Sequence, residues 1–130
     1  MVLLPFAAGL MGVLPLVMLL LRVRRVRARR REMEAINRSF SSYVPGGVYR
    51  YESPDCRCVL RVTEVRPGEV DAAGRVRRRP RCLARVGHGG EEVCITYFTV
   101  DGDGSLRGGC DYDPAAPGAR VEPVTPAELP

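Results

Sequence analysis

The sequence predicts an α+β protein, in which an N-terminal transmembrane helix with a stalk precedes a small β-rich, disulfide-bonded head. The helix is predicted from Val2–Leu21, twenty residues without a charged side chain. At ~1.5 Å per residue such a helix is ~30 Å long, which matches the hydrocarbon core of a bilayer. The head is predicted from short β-branched and aromatic segments that are separated by turns containing Gly and Pro.

A basic collar follows the apolar segment immediately. Seven of the next ten residues are arginine: Arg22, Arg24, Arg25, Arg27, Arg29, Arg30 and Arg31. The collar should bind anionic lipid, at roughly 1 kcal/mol per arginine near the surface. Because basic residues beside a span stay on the cytoplasmic side, we expect the N-terminus outside and the head on the cytosolic side. A cleaved signal peptide has its basic residues before the apolar segment, so an uncleaved signal-anchor is the preferred interpretation.

The helix is predicted to continue beyond the collar as a stalk. Apolar residues recur at a three- or four-residue spacing from Val23 to Phe40, with one interruption at Arg30. This stripe could pack on the head of the same chain or on a partner helix, and the first interpretation is preferred. Glu32 and Glu34 can pair with arginines three or four positions away. Asn37 begins an N-glycosylation sequon that should stay unmodified if the head faces the cytosol.

Four segments are predicted along the chain. Residues 1–21 are the anchor, 22–42 the basic juxtamembrane helix, 43–112 the head, and 113–130 a Pro-rich tail that should be extended or disordered. Residues 1–42 have a net charge of +6, from eight Arg against two Glu. Residues 43–130 have a net charge of −1, from twelve Arg against thirteen acidic residues. The head is therefore not expected to bind nucleic acid.

Several strands are predicted in the head. Val93–Val100 is β-branched and aromatic throughout, and apolar residues on both of its faces predict a central strand. Arg75–Arg81 is basic and contains Pro80, which indicates an edge strand or a loop. The other predicted strands are Val48–Glu52 at an edge, Cys58–Arg66, Cys82–Val86, and Ser105–Tyr112 after a hairpin turn at Asp101–Gly104.

Five cysteines lie in the head: Cys56, Cys58, Cys82, Cys94 and Cys110. A small head gains most from cross-links, each worth ~2–4 kcal/mol. If Asp101–Asp103 form the hairpin loop, Cys94 lies opposite Cys110, and such cross-strand neighbours can be bridged. Either Cys56 or Cys58 could then pair with Cys82. Cys58 is preferred because Leu60 and Val62 share its face, which leaves Cys56 as the free thiol.

No metal, cofactor or catalytic site is predicted. The Cys56-Arg57-Cys58 spacing is too short for a usual zinc-binding pair, and His88 is the single histidine, in a glycine-rich loop. Asp101–Leu106 is similar to the middle of a calcium loop but lacks its first and last carboxylates. We therefore expect a non-enzymatic protein without a small-molecule substrate, whose partners are the membrane and other membrane-protein subunits.

The architecture of Val2–Tyr112 and the order of Cys58, Cys82, Cys94 and Cys110 resemble the small subunits of the poxvirus entry-fusion complex. The resemblance implies a late protein of the virion membrane that serves virus entry into the host cell and fusion of the two membranes. The heads of those subunits face the cytosol when made, and the virus supplies its own oxidation pathway. This would reconcile a cytosolic head with disulfides, which are rare in that compartment. Cys56 and the tail depart from the pattern.

Two alternatives remain open from the residues. The chain could be a cellular or bacterial single-span membrane protein with a small cytosolic thiol-containing or zinc-binding adaptor domain. It could also be an extracytoplasmic domain with the opposite orientation, which glycosylation at Asn37 would support.

Overall fold

A long helix precedes a β-rich body, which confirms the predicted α+β class. The structure, a computed structural model, describes the backbone of residues 3–125 and the side chains of residues 12–125. The helix, α1, spans Leu3–Arg38 and runs without interruption through the collar. It ends in turns, in which the Ser39 N–H donates to the Ile36 carbonyl at 3.1 Å.

In the part of the chain that the structure describes, no helix is long and apolar enough to cross a membrane. The predicted span, Val2–Leu21, begins among residues 1–11, whose side chains lie outside the described part.

Nine strands form the body within residues 3–125. A five-stranded antiparallel sheet has the order β6-β5-β2-β1-β9, and two separate hairpins are formed by β3 with β4 and by β7 with β8. The strands are β1 (Val48–Glu52), β2 (Arg57–Arg66), β3 (Glu69–Val70), β4 (Val76–Arg78), β5 (Arg81–Val86), β6 (Glu92–Cys94), β7 (Thr96–Val100), β8 (Leu106–Cys110) and β9 (Arg120–Pro123).

The apolar stripe of α1 packs on the head of its own chain, as predicted. Met33 and Ile36 of α1, and Phe40 in the turn after it, are 1–3% exposed and contact a core that includes Leu60 and Val62 of β2. The rest of the core consists of Tyr43, Tyr49, Tyr51, Cys82, Ala84, Ile95, Leu106 and Cys110. The C-terminal part of the helix therefore contributes to the hydrophobic core of the head and is packed directly against it.

The predicted disorder of residues 113–130 is wrong for the part that returns to the sheet. β9 pairs with β1, with Tyr51 opposite Val121, so β1 is an inner strand and not the predicted edge. Val124 is buried, and its N–H donates to the Val48 carbonyl at 2.8 Å. Valines at these positions give the tail apolar surface to bury, and an edge strand tolerates Pro123. Residues 126–130 lie outside the described residues.

The prediction of one central strand over Val93–Val100 is also wrong. The segment divides at Ile95, whose N–H donates to the Cys82 carbonyl and whose own carbonyl accepts from the Asp111 N–H, at 2.9 and 2.8 Å. β6 is thus an edge of the large sheet, while β7 pairs with β8 alone. Ile95 takes the core position, and Tyr97 and Val100 are more than half exposed.

Candidate functional site

The stretch of α1 from Val13 to Leu21 exposes apolar side chains in every direction. Large apolar residues from Val13 to Leu21 are each 43–69% exposed: Val13, Leu14, Leu16, Val17, Met18, Leu19, Leu20 and Leu21. Successive helical residues are rotated by about 100°, so this stretch covers the whole circumference of the helix. A helix that is hydrophobic all round is normally buried in a core or in a membrane, and the head does not cover this one.

Six collar arginines are exposed around the helix directly after the apolar segment: Arg22, Arg24, Arg25, Arg27, Arg30 and Arg31. Arg29 departs from the predicted lipid-facing collar. Its side chain is only 15% exposed and pairs with Glu32 at 3.1 Å, as the three-residue spacing predicted. It also donates to the Asp103 carbonyl at 3.0 Å. Arg29 therefore faces the head, because the β7–β8 turn lies against that side of the helix.

Glu32 holds the same hairpin from the next turn of the helix. Its Oε2 accepts a hydrogen bond from the Leu106 N–H at 2.8 Å, across a separation of 74 residues. Asn37 makes a comparable link to the segment before β3, since its Nδ2 donates to the Gly68 carbonyl and its Oδ1 accepts from the Gly68 N–H, at 3.0 and 2.8 Å. The spacing of residues within the helix could not predict Leu106 and Gly68 as partners, because both lie far along the chain. The sequence signal for Glu32 and Asn37 is that each is a polar residue beside the apolar stripe.

The β3–β4 hairpin brings the head to the level of the last apolar turn of the helix. Asp71 shapes its turn by accepting from the N–H groups of Ala73 and Arg75, both at 2.9 Å. These hydrogen bonds from backbone N–H groups lower the pKa of Asp71, and the one from Arg75 has the largest effect. Gly74 lies so close to the helix that a Cβ there would be 3.4 Å from the Val26 Cα.

A groove of about 310 Å³ separates this hairpin from α1. Its helix side combines apolar and cationic side chains, and Ala72 lies on its hairpin side. The residues of the helix side are Leu19, Arg22, Val23, Val26, Arg27 and Arg30. An adjoining groove of about 610 Å³ is lined by Arg25 and Arg75, among others. Apolar walls beside several guanidinium groups suit a molecule with an anionic group and a hydrocarbon part.

The predicted basic edge at Arg75–Arg81 is largely engaged within the head. Arg78 pairs with Glu69 at 2.9 Å, and Arg81 lies 3.8 Å from Glu64. The Arg79 guanidinium lies over the Phe98 ring, 5.8 Å from its centroid. This arrangement favours the interpretation of a solvated structural edge, and the collar is the more exposed basic surface.

The cross-strand geometry predicted for Cys94 and Cys110 is wrong. Cys110 lies opposite Thr96, and Cys94 lies opposite Leu83 of β5. The hairpin loop is one residue later than predicted, because the Asp101 N–H donates to the Ser105 carbonyl at 2.9 Å and encloses residues 102–104. Gly104 has a φ of 83°, the left-handed conformation that the third residue of such a loop requires. Because of that shift, the residue opposite Cys110 is Thr96 and not the predicted Cys94.

All five cysteines are free thiols in the structure. The disulfides Cys58–Cys82 and Cys94–Cys110 therefore stay predictions about an oxidised form. The thiol that lies against Cys58 is that of Cys56, with the two sulfurs 4.0 Å apart. Cys82 and Cys110 are buried in the core, whereas Cys94 is exposed at the end of β6.

Burial keeps the core thiols protonated at neutral pH. Desolvation raises the pKa of Cys82 and that of Cys110 from 9.0 to about 12. It likewise raises the pKa of Cys58 to about 11, with a further contribution from Cys56. Tyr43, whose hydroxyl donates to the Tyr112 carbonyl, also has a strongly raised pKa because it is desolvated. A thiolate is the nucleophile in cysteine chemistry, so Cys82 and Cys110 are inert in the folded protein.

Among the described residues, no group of three or more His, Cys, Asp or Glu side chains could hold a metal ion. His88 is exposed in its loop. Asp101 and Asp103 instead build the hairpin turn, where Asp103 Oδ1 accepts from the Ser105 N–H at 2.9 Å.

Comparison with known protein families, with curated proteins and with solved structures gives no match to this chain.

Proposed function

We propose that the chain is a non-enzymatic, membrane-anchored subunit of a viral envelope complex for cell entry and membrane fusion. The observation that carries the membrane part is the apolar circumference of α1 from Val13 to Leu21, followed directly by the exposed collar. Burying one such side chain stabilises by about 1.5–3 kcal/mol. A bilayer would bury all eight of the large apolar residues there, whereas water leaves them exposed.

The grooves between α1 and the β3–β4 hairpin support anionic lipid as a partner. Arg22, Arg27 and Arg30 could contact a lipid phosphate, while Leu19 and Val23 contact the upper part of an acyl chain. Because the arginines follow the span, the proposed orientation has the N-terminus outside and the head on the cytosolic side when the protein is made. In a virus, this membrane would become the virion membrane.

Rigid attachment of the head to the anchor supports a role in an assembly at the membrane surface. The helix that carries the anchor also supplies Met33 and Ile36 to the core, and Phe40 follows in the turn directly after it. The head is therefore held in one orientation above the bilayer, which presents a fixed surface to neighbouring subunits. The fusion assignment itself rests on the resemblance in architecture and cysteine order.

Conditional expression in infected cells tests the viral assignment. Virions made without the protein should attach to cells but fail to mix lipids, as measured by dequenching of a fluorescent lipid in the virion membrane. Expression of the unaltered chain should restore mixing. Normal lipid mixing without the protein, or its absence from purified virion membranes, would contradict the assignment.

The second candidate is a cellular or bacterial single-span protein with a cytosolic thiol-containing adaptor domain. The free thiol state of all five cysteines in the structure favours it, because a reducing compartment keeps cysteines as thiols. Mass spectrometry of protein from native membranes, denatured and then alkylated with and without prior reduction, separates the two candidates. Two disulfides in the native protein support the viral subunit, and five labelled thiols support the adaptor.

A further inference from the structure

Cys56 and Cys58 lie side by side at the end of the β1–β2 hairpin. Ser53 and Cys56 close the turn, since the Ser53 N–H donates to the Cys56 carbonyl at 2.7 Å. Cys58 is paired with Tyr51, so residues 56 and 58 of the extended chain are on the same face of the sheet. Their sulfurs are 4.0 Å apart, and both side chains are half-buried.

The surroundings of the two thiols differ. Cys56 follows the exposed turn residues Pro54 and Asp55, so a reagent can approach it from solvent. Cys58 lies deeper, against the core, and burial raises its pKa.

We propose that Cys56 and Cys58 form a redox-active dithiol that exchanges with disulfides at this hairpin tip. The partner class is a small or exposed disulfide, RSSR. The Cys56 thiolate attacks one sulfur of RSSR, which forms a mixed disulfide and releases the first RS⁻. Cys58, as a thiolate, then attacks the Cys56 sulfur, forms the Cys56–Cys58 bond and releases the second RS⁻. The two protons lost by the cysteines end on two RSH, and the two electrons reduce RSSR.

The spacing makes the resulting bond labile. Two residues of extended chain place the Cα atoms about 6.6 Å apart, close to the upper limit for a disulfide. Closing the bond therefore requires the tip of the hairpin to shift, and strained or exposed disulfides are the easily reduced ones. Such a pair passes its disulfide on to other thiols. This activity is independent of the membrane anchor and goes beyond the proposed subunit role. It requires Cys58 as a free thiol, so it excludes the predicted Cys58–Cys82 bridge.

Trypsin provides a direct readout, because Arg57 lies between the two cysteines. The full chain in detergent is equilibrated in glutathione buffers of graded GSH and GSSG content, quenched with an alkylating reagent and digested. Oxidising buffers should yield peptides 51–57 and 58–61 joined by a disulfide, and reducing buffers should return both as alkylated peptides. Alkylation of both cysteines in every buffer, or a link from Cys58 to Cys82, would overturn the proposal.

Two variants test the order of the steps. In Cys58→Ser, the glutathione adduct on Cys56 should accumulate, because no second thiol resolves it; absence of the adduct would show that Cys56 does not exchange. Cys94→Ser is the control at a cysteine outside this pair, and it should leave the joined peptides unchanged. Their loss in this control would place the exchange at Cys94 and contradict the proposal.

Discussion

The carboxylate of Glu32 accepts a hydrogen bond from the backbone N–H of Leu106, so the helix and the β7–β8 hairpin are joined by a charged group. The same carboxylate pairs with Arg29, which contacts the turn of that hairpin through the Asp103 carbonyl. The two side chains hold the hairpin at the point where the collar ends and the buried stripe of α1 begins. Whatever positions the helix therefore also positions the head.

Replacing Glu32 with alanine should destabilise the head by about 1–3 kcal/mol, because hydrogen bonds to charged groups contribute on this scale. Glu34→Ala is the matched control, since Glu34 is exposed on the same helix and should change stability by less than about 0.5 kcal/mol. Urea unfolding of the full chain in detergent, followed by tyrosine fluorescence, measures both. Equal midpoints for the two variants would show that the Glu32–Leu106 link contributes nothing.

Asn37 should remain unglycosylated even if the head is exported to a lumenal compartment. Asn37 is half-buried and both polar atoms of its amide are hydrogen-bonded to Gly68, so a glycan on Nδ2 would have to fit into the contact between the helix and the head. The test fuses a cleavable signal peptide to residues 22–130 and treats the secreted protein with a glycosidase. A mass shift on treatment would contradict the prediction.

Asn37→Ala should lower the free energy of unfolding by about 1–2 kcal/mol, because the N–H and the carbonyl of Gly68 lose their hydrogen-bond partner.

Stability should fall as pH rises above about 9. The raised pKa values of Cys82 and Cys110 mean that the folded state keeps two protons that the unfolded state releases. Their contribution is thus complete below the ordinary thiol pKa and is lost as pH rises toward 12, with a slope of up to ~1.4 kcal/mol per pH unit for each thiol. Denaturation midpoints across this range, with a reductant present, measure the slope.

Cys82→Ala should make that slope shallower, while Cys94→Ala, at an exposed position, should leave it unchanged. Tyr43, with its raised pKa, retains part of the dependence in both variants. An unchanged slope in Cys82→Ala would show that the Cys82 thiol is not desolvated in the folded protein.

Local pattern was sufficient for the helix, its buried stripe and most strand positions, because these depend on side-chain periodicity. It failed where a distant segment decides the outcome. Ile95 divides its strand because Cys82 and Asp111 bind its two backbone groups, and β1 becomes an inner strand because Val121 returns to it. Turn chemistry would have corrected the cysteine register, since Gly104 is the residue suited to a positive φ. The side-chain links of Glu32 and Asn37 to the head could not be predicted, because their partners are backbone groups far along the chain.

Replacing the six exposed collar arginines with glutamine should weaken or invert the orientation of the chain. Basic residues close to a span set its topology, whereas distant ones contribute little. The matched control replaces six exposed arginines of the head: Arg57, Arg61, Arg77, Arg79, Arg85 and Arg107. Protease protection of the head after insertion into microsomes measures both. Unchanged protection in the collar variant would show that the collar does not determine topology.

The central claim, that the N-terminal part of α1 anchors the protein in a bilayer, is tested most directly by alkaline carbonate extraction of membranes from cells that express the full chain. The unaltered protein should remain in the membrane pellet. The double variant Val13→Arg and Leu14→Arg should be released, because an arginine near the middle of a span costs about 2.5–3.5 kcal/mol. Release of the unaltered chain into the supernatant, together with the double variant, would contradict the account.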